Sequence, residues 1–205
     1  MSGDEQSQRD KGREERRTRV IEAAMRMALD GGYDAVQMRA VAERADVALG
    51  TIYRYFSGKD ELLIAGLAEW IALVRRRLET ETPPGSTSAD RLSWVLSRAA
   101  YSTDSAPVLI SALVTALSTT DPSASEYKLE VEREVRGLVE WAIDEQSGID
   151  VDGVSRVLGH VWYSALARWV SGLASDGSVA AELEHAARML LPRSPAVPER
   201  VGQQA

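Results

Sequence analysis

Residues 33–62 limit the possible fold most tightly, because they predict two short helices joined by a tight turn. In the first segment the apolar residues recur at spacings of three and four, the pattern of one helix face, at Met38, Val41, Ala42 and Ala45. Asp46 comes next, and aspartate is one of the few residues other than glycine that accepts a positive φ. The apolar pattern then resumes, at Leu49, Ile52 and Phe56.

The second predicted helix leaves small and hydrogen-bonding residues on the side away from its apolar positions. Gly50 and Thr51 allow the backbone to approach a partner closely, and three polar side chains follow, Tyr53, Arg54 and Tyr55. Hydroxyl and guanidinium groups bind phosphate oxygens, and arginine is the commonest reader of guanine in the major groove. The pattern therefore predicts a DNA-binding helix-turn-helix in which Arg54 reads a base and three residues hold phosphates, Tyr53, Tyr55 and Lys59.

The run GTIYRYFSGKDEL, residues 50–62, resembles the signature of TetR-family transcriptional regulators. Two further runs, GGYDAVQMRAVAERADVALGTIYRYF and VWYSALARW, are similar to the KstR-type repressors of cholesterol and steroid catabolism in that family. The resemblance covers residues 14–75 by motif and the whole chain by length and helix order. It implies a set of DNA-binding residues: Arg17, Gln37, Arg39, Ala48, Gly50, Thr51, Tyr53, Arg54, Tyr55 and Lys59.

Three positions depart from the family pattern. Gln37 stands where a threonine usually caps the first motif helix, and glutamine is the weaker cap. Asp46 replaces the usual turn glycine, and Ala48 replaces the serine before the recognition helix. Because of these departures, the sequence does not predict the affinity for DNA or the base preference. DNA binding itself is still expected.

The formal net charge of −7 is unevenly distributed along the chain. Residues 1–60 carry 11 basic and 11 acidic residues, whereas residues 61–205 carry 13 and 20. Seven basic residues lie within residues 9–26, at Arg9, Lys11, Arg13, Arg16, Arg17, Arg19 and Arg26. A basic segment beside a neutral helix-turn-helix and an acidic body fits an oriented contact with DNA. The alternative is a solvated tail, and we expect residues 1–12 to be a disordered basic arm.

Composition and motifs exclude other classes. The chain has no cysteine, which excludes disulfides and thiolate metal sites, and it has no apolar run that could span a membrane or act as a signal peptide. His160 and His185 show no metal-ligand spacing, and no phosphate loop or nucleophile elbow is present. We therefore expect a cytoplasmic regulator without cofactor, metal or enzymatic activity. An architectural DNA-binding protein would need a basic body, and this body is acidic.

Helical periodicity continues to residue 191 and predicts an all-α fold of about nine helices. A first helix over residues 14–30 is expected to end at Gly31-Gly32, and Ser57 with Asp60 resembles a capping box. The expected domains are a helix-turn-helix domain over 13–60 and a ligand-binding and dimerisation domain over 61–191. Residues 192–205 contain three prolines and are expected to be a disordered tail.

The helix predicted over residues 154–173 is apolar on more than half of its circumference, which indicates a buried helix or an interface. The resemblance implies the interface, a two-fold dimer in which the last two helices of each subunit form a four-helix bundle. The residues expected there are Val157, Val161, Ala165, Leu183, Ala187 and Leu190. Such a dimer predicts a palindromic operator.

Aromatic and arginine side chains in the body suggest a ligand pocket, with ordinary core packing as the alternative. Ligand sites are mostly apolar with a few polar anchors, and the candidates are Trp70, Trp94, Arg98, Tyr101, Trp141, Trp162, Arg168 and Trp169. The resemblance implies a repressor released by a hydrophobic small molecule, such as a steroid- or lipid-derived acid or acyl-CoA, through a shift of the helix near residues 60–80. The sequence does not distinguish repressor from activator, or catabolic from efflux genes as targets.

Overall fold

The computed structural model describes residues 3–101, 103, 105–143 and 148–191, and the regular elements in these ranges are all helical. They are α1 (Gly3–Ala35), α2 (Met38–Ala45), α3 (Leu49–Ile52), α4 (Lys59–Leu78), α5 (Ser88–Tyr101), α6 (Pro107–Leu117), a 3-10 helix (Pro122–Ala124), α7 (Ser125–Ala142), α8 (Val151–Val170) and α9 (Ser178–Leu190). The predicted all-α fold is confirmed. The tail predicted over 192–205 lies outside the described residues.

α1 begins much earlier than predicted, because residues 3–12, expected to be disordered, are helical. This segment contains no proline, and only half of its residues are the strong helix formers glutamate, glutamine, arginine and lysine, so its own propensity does not explain the helix. The packed part of α1 supplies the nucleus from which a polar extension can propagate. At the other end, Gly32 has φ of 76° and breaks the helix where glycine was predicted to end it, although one further turn follows to Ala35.

The helix-turn-helix is built as predicted around Asp46, which has φ of 53° and ψ of 53°, the left-handed conformation that reverses the chain after α2. Ile52 and Phe56 are fully buried. The prediction for Leu49 is wrong. The sequence predicted that its side chain faces inward, but 38 % of it is exposed. It lies in the first turn of a helix of only four residues, which is too short to bury both of its ends.

α4 joins the helix-turn-helix to the rest of the chain and buries Leu62, Leu63 and Ile64 completely. Gly66 lets α1 approach closely, since a Cβ at this position would lie 2.5 Å from the sulfur of Met25. The predicted capping box is displaced by one residue. Glu61, and not Asp60, accepts hydrogen bonds from the Ser57 amide at 2.7 Å and from the Ser57 hydroxyl.

The body consists of α5 to α9 packed on the second half of α4. α5 packs on α9, α7 on α4 and α8 on both α7 and α9, around fully buried side chains that include Leu92, Leu96, Leu138, Leu158 and Leu183. Within the part of the chain that the structure describes, no helix combines the length and apolar character needed to cross a membrane.

The residues predicted for a dimer interface divide into two groups. Ala165, Leu183 and Ala187 are buried in the core of their own subunit, with at most 1 % of their surface exposed. Val157 and Leu190 are 40 % and 36 % exposed, and Val161 is half-buried. The interface prediction is therefore wrong for Ala165, Leu183 and Ala187. These side chains are covered inside their own subunit, because α8 and α9 pack on each other there.

Candidate nucleic-acid interface and ligand cavity

The recognition turn, defined here as residues 49–56, presents its polar residues unevenly. Tyr53 is 53 % exposed, Arg54 is exposed and Thr51 is half-buried. Neither Gln37 nor Ala48 caps its helix with a side-chain hydrogen bond; the sequence predicted a missing cap at Ala48 and a weaker cap at Gln37. Instead, the Gln37 amide donates to the Asp34 carbonyl at 2.9 Å. Arg54 and Tyr53 are therefore the side chains of this turn that are free to meet a duplex.

Tyr55 was predicted to face outwards with its neighbours, and its placement corrects that prediction. It is half-buried against the core, and its hydroxyl donates to the Arg13 carbonyl at 3.3 Å. The Arg13 guanidinium lies 5.6 Å from the centre of the Tyr55 ring. The reason is a contact with α1 across 42 positions of sequence, which the periodicity of the recognition turn does not reveal. Tyr55 thus anchors α1 to the recognition turn.

Arg17 is also placed differently from the prediction. Only 21 % of its side chain is exposed; it pairs with Glu69 of α4, and its guanidinium lies 5.6 Å from the Phe56 ring centre. Burial raises the pKa of Glu69 even though Arg17 opposes that shift. Arg17 thus joins α1 to α4 across the core and is not directed at the open surface. Arg39, by contrast, is 87 % exposed and pairs with Glu43 on its own helix, at 3.4 Å.

Lys59, at the start of α4, lies against Tyr33. Its ammonium donates to the Tyr33 carbonyl at 3.3 Å and sits 3.7 Å from the ring centre. The Tyr33 hydroxyl donates to Asp60 at 2.5 Å. Burial, then the hydrogen bond and negative charge of Asp60, raise the pKa of Tyr33 to about 12. The end of α1 therefore holds the beginning of α4 through the hydroxyl of Tyr33, whose raised pKa keeps it protonated.

The N-terminal extension of α1 brings a basic stripe to the recognition turn. Arg9, Arg13 and Arg16 are exposed and spaced by four and three residues, which places them on one side of the helix. A shallow polar groove of about 360 Å³ separates this part of α1 from the turn, lined by Asp10, Arg13, Glu14, Arg17, Arg54, Tyr55 and Tyr127. Arg13 and Arg54 therefore border the same surface.

A larger cavity of about 660 Å³ opens between α4, α6, α7 and α8. Its apolar lining includes Leu67, Trp70, Ile71, Ile110, Leu113, Leu117, Val131, Trp162 and Leu166. Its polar lining is rich in basic side chains, which are Lys128, Arg133, Arg136, Arg156 and His160, with Asp152 and Glu132 among them. The combination of an apolar wall and a cationic border suits a hydrophobic molecule with a negatively charged group.

Of the eight residues predicted to bind a ligand, Trp70 and Trp162 line this cavity and the other six do not. Arg98 pairs with Glu81 at 3.2 Å and lies 5.7 Å from the Trp94 ring centre. Tyr101 is 80 % exposed, and the Trp169 indole donates to Asp176 at 3.0 Å. Trp141 and Arg168 also lie away from the lining. Periodicity assigns a residue to a face of its own helix, but it does not say which helix packs opposite.

Several lining residues were missed by the sequence analysis. On α8, Arg156 and His160 are four residues apart, and on α7, Arg133 and Arg136 are three apart. Such spacings place charges together on one side of a helix, a pattern that could have singled out these faces. These basic side chains differ in whether they are already paired. Arg136 pairs with Asp152 at 2.6 Å, which lowers the Asp152 pKa. Arg156 makes no ion pair with the described residues.

Models of two protein families match the chain. The model described as bacterial regulatory proteins of the tetR family matches residues 20–65, which contain α2 and the recognition turn. The model described as the tetracyclin repressor-like C-terminal domain matches residues 85–190, which contain α5 to α9.

The chain is also similar to individual transcriptional regulators. The HTH-type transcriptional repressor KstR of Rhodococcus jostii is 38 % identical over 178 residues, which are 86 % of this chain and 83 % of that protein. A TetR transcriptional regulator from Rhodococcus sp. RHA1 matches in structure with a TM-score of 0.78 and 26 % identity, over 88 % of this chain and 97 % of its own. FadR of Thermus thermophilus, solved with lauroyl-CoA, has a TM-score of 0.62 and 23 % identity over 89 % and 98 % of the chains, which indicates a common fold.

Proposed function

Because this chain belongs to the TetR family of bacterial regulatory proteins, we propose that it represses transcription as a dimer on a palindromic operator and leaves the operator when a hydrophobic anion binds. The family is one of DNA-binding regulators and not of enzymes. The observation that carries the proposal is the path of α4, which begins beside the exposed recognition turn and lines the cavity with its middle part, at Leu67, Trp70 and Ile71. A molecule in the cavity therefore touches the helix that holds the DNA-binding surface.

Exposed apolar side chains on α8 and α9 support the dimer. Val157 and Leu190 are joined by Met189, which is 74 % exposed, and by Leu173, which is 69 % exposed beyond the end of α8. Large apolar side chains that are exposed on two neighbouring helices favour an interface. A two-fold axis through this face would present two recognition turns to one side of a duplex, and half-sites about one helical turn apart or slightly more would be bound.

The operator contacts that we propose lie on the open side of the helix-turn-helix. Arg54 reads a base, Tyr53 and Thr51 hold phosphates, and Arg39 and Lys59 add charge at the border of the surface. Gly50 is exposed and leaves room for the backbone to approach the duplex. A regulator of this type acts where the chromosome lies, in the cytoplasm.

The chemistry of the cavity supports the ligand class. Its apolar wall would accept an acyl chain or a steroid skeleton, and Arg156 and Lys128 at its border would meet a carboxylate or the phosphates of coenzyme A. The Thermus FadR structure holds lauroyl-CoA, and the sequence resemblance to KstR-type repressors of steroid catabolism favours steroid-derived acids or acyl-CoA thioesters. Binding changes operator affinity only if the ligand prefers the conformation that does not fit DNA.

A test of the dimer and operator is a footprint on DNA upstream of the gene, combined with sedimentation of the complex. Two protomers on two inverted half-sites about one helical turn apart would support the proposal. A protected region without two-fold symmetry, with one protomer bound, would contradict it.

Arg13→Gln is expected to weaken binding to any duplex and to reduce its salt dependence. Each phosphate contact contributes about 0.9 to the slope of log affinity against log salt, so losing one contact from each protomer should reduce the slope by roughly two. Titrations of operator DNA at several salt concentrations measure this slope.

Lys11→Gln is the matched control, because Lys11 is two residues away on the opposite side of the same exposed helix. It removes the same charge and should leave the slope nearly unchanged. Equal effects of the two substitutions would show that only the net charge of the extension matters.

Arg156→Ala is expected to weaken binding of an acyl-CoA roughly fivefold, the effect of losing about 1 kcal/mol from an exposed charge pair. Binding of an uncharged steroid of similar size should not change. Calorimetric titration with both molecules measures the difference. Arg98→Ala removes an exposed arginine that pairs with Glu81 outside the cavity, and it should alter neither titration; a larger effect at Arg98 than at Arg156 would place the ligand elsewhere.

A further inference from the structure

The first turn of α7 contacts the recognition turn directly. The Tyr127 hydroxyl donates to the backbone carbonyl of Tyr55 at 2.9 Å, and its ring lies 5.6 Å from that of Phe56. One residue further along the chain, the Ser57 hydroxyl lies 3.2 Å from the Ser123 hydroxyl, just before α7. These contacts join residues separated by 66 and 72 positions in sequence, across the boundary between the helix-turn-helix and the body.

The same helix forms a wall of the cavity. Lys128 follows Tyr127 immediately and lines the cavity, and the lining continues along α7 through Leu129, Val131, Glu132, Arg133, Val135 and Arg136. Because α7 is one uninterrupted helix over Ser125–Ala142, a displacement of its cavity-lining part also displaces Tyr127. The cavity is thus connected to the recognition turn by a route that does not pass through α4.

We propose that Tyr127 is a positioning residue for induction: its hydrogen bond to Tyr55 makes the recognition turn follow α7 when a ligand occupies the cavity. The inference rests on the proposed function, since it needs both an operator and a cavity ligand. The bond holds the backbone one residue from Arg54, so a movement of this carbonyl changes where the base-reading side chain lies. Burial raises the pKa of Tyr127, so the hydroxyl stays protonated and able to donate at neutral pH.

The test compares operator affinity with and without ligand, in wild type and Tyr127→Phe. The coupling factor is the ratio of the two operator dissociation constants, and the probes are lauroyl-CoA and a steroid acyl-CoA thioester. Tyr127→Phe keeps the ring that packs on Phe56 and removes one hydrogen bond. We expect its coupling factor to fall by about two- to tenfold. Its affinity for the probe alone should stay within twofold of wild type, which a general loss of structure would not allow.

A disulfide offers a rescue in the same molecule. The chain has no cysteine of its own, so Ser57→Cys with Ser123→Cys in the Tyr127→Phe background would create a single cross-link where the two hydroxyls lie 3.2 Å apart. The oxidised protein should recover the coupling factor, and reduction should remove it again. Tyr101→Phe, at a tyrosine that is 80 % exposed, is the control and should behave as wild type.

The outcomes separate this inference from the proposed function. If wild type responds to a probe and Tyr127→Phe has the same coupling factor, Tyr127 does not transmit the ligand's effect and the inference is overturned. If wild type binds its operator but neither probe changes the affinity, the proposed ligand class is wrong and the inference falls with it. A reduced factor in Tyr127→Phe that the oxidised cross-link restores supports both.

Discussion

Arg54→Ala is expected to weaken operator binding by at least tenfold and to relax base preference at one position in each half-site. An arginine that reads a guanine contributes about 1–3 kcal/mol, and a dimer would lose this contribution twice. Arg54 is exposed beside Tyr53 on a turn whose Ile52 and Phe56 are fully buried, so the truncation should not disturb the fold. Titration of operator variants with single base changes measures both effects.

Two control variants test whether the effect is specific to Arg54. Arg77→Ala removes an exposed arginine from α4 about 27 Å along the helix from Lys59, and it should leave operator binding nearly unchanged. Tyr53→Phe should weaken binding to all operator variants alike, because a phosphate contact carries no base information. A uniform loss for Arg54→Ala, or a base-dependent loss for Tyr53→Phe, would contradict the roles assigned to these two residues.

Phe56→Ala is expected to lower the free energy of unfolding by about 3–5 kcal/mol, the usual cost of truncating a fully buried phenylalanine. Phe56 has no exposed surface, and it meets Tyr127 of α7 and the guanidinium of Arg17. The loss is large against the total of about 5–15 kcal/mol that is typical of a folded domain. Urea denaturation at one fixed protein concentration measures it, since the stability of a dimer depends on concentration.

Leu49→Ala is the matched control for this prediction. The apolar pattern predicts that Leu49 and Phe56 both face inward, but 38 % of Leu49 is exposed. Its truncation should therefore change the free energy of unfolding by only about 0.5 kcal/mol. Similar losses at the two positions would mean that the recognition turn is not packed as the structure shows.

The helix-turn-helix could be predicted from the sequence because its determinants are local. The left-handed conformation of Asp46 follows from the interruption between two apolar patterns, and the signature at residues 50–62 identified a family that the family models and the KstR relatives confirm. The missing cap at Ala48 was also predicted, since it depends on the residue at one position, whereas at Gln37 only a weaker cap was predicted.

The failures arose where a residue's role depends on another segment of the chain. Residues 3–12 have the polarity of a disordered arm, yet they continue a helix that is already nucleated. Arg17 and Tyr55 have the chemistry of phosphate contacts, but Glu69 of α4 and Arg13 of α1 lie beside them and bind them instead. Neither partner is close in sequence, so no local pattern could reveal the contact.

The cavity illustrates the same point for ligand binding. Tryptophan is a frequent lining residue, but four of the predicted aromatic residues lie away from the cavity, while the basic residues of α7 and α8 border it. The dimer prediction failed for Ala165, Leu183 and Ala187 because a very apolar helix can be satisfied within its own subunit. Apolar content indicates that a face is buried, and only the fold decides which partner buries it.

If ligand binding in the body controls operator binding by the helix-turn-helix, a gel shift will show it. The full chain is titrated onto the DNA upstream of its gene, with and without steroid acids and acyl-CoA thioesters. We expect a sharp shift at moderate salt that one of these anionic classes reverses. A shift that persists with every member of both classes, while calorimetry shows that one of them binds the protein, would contradict it.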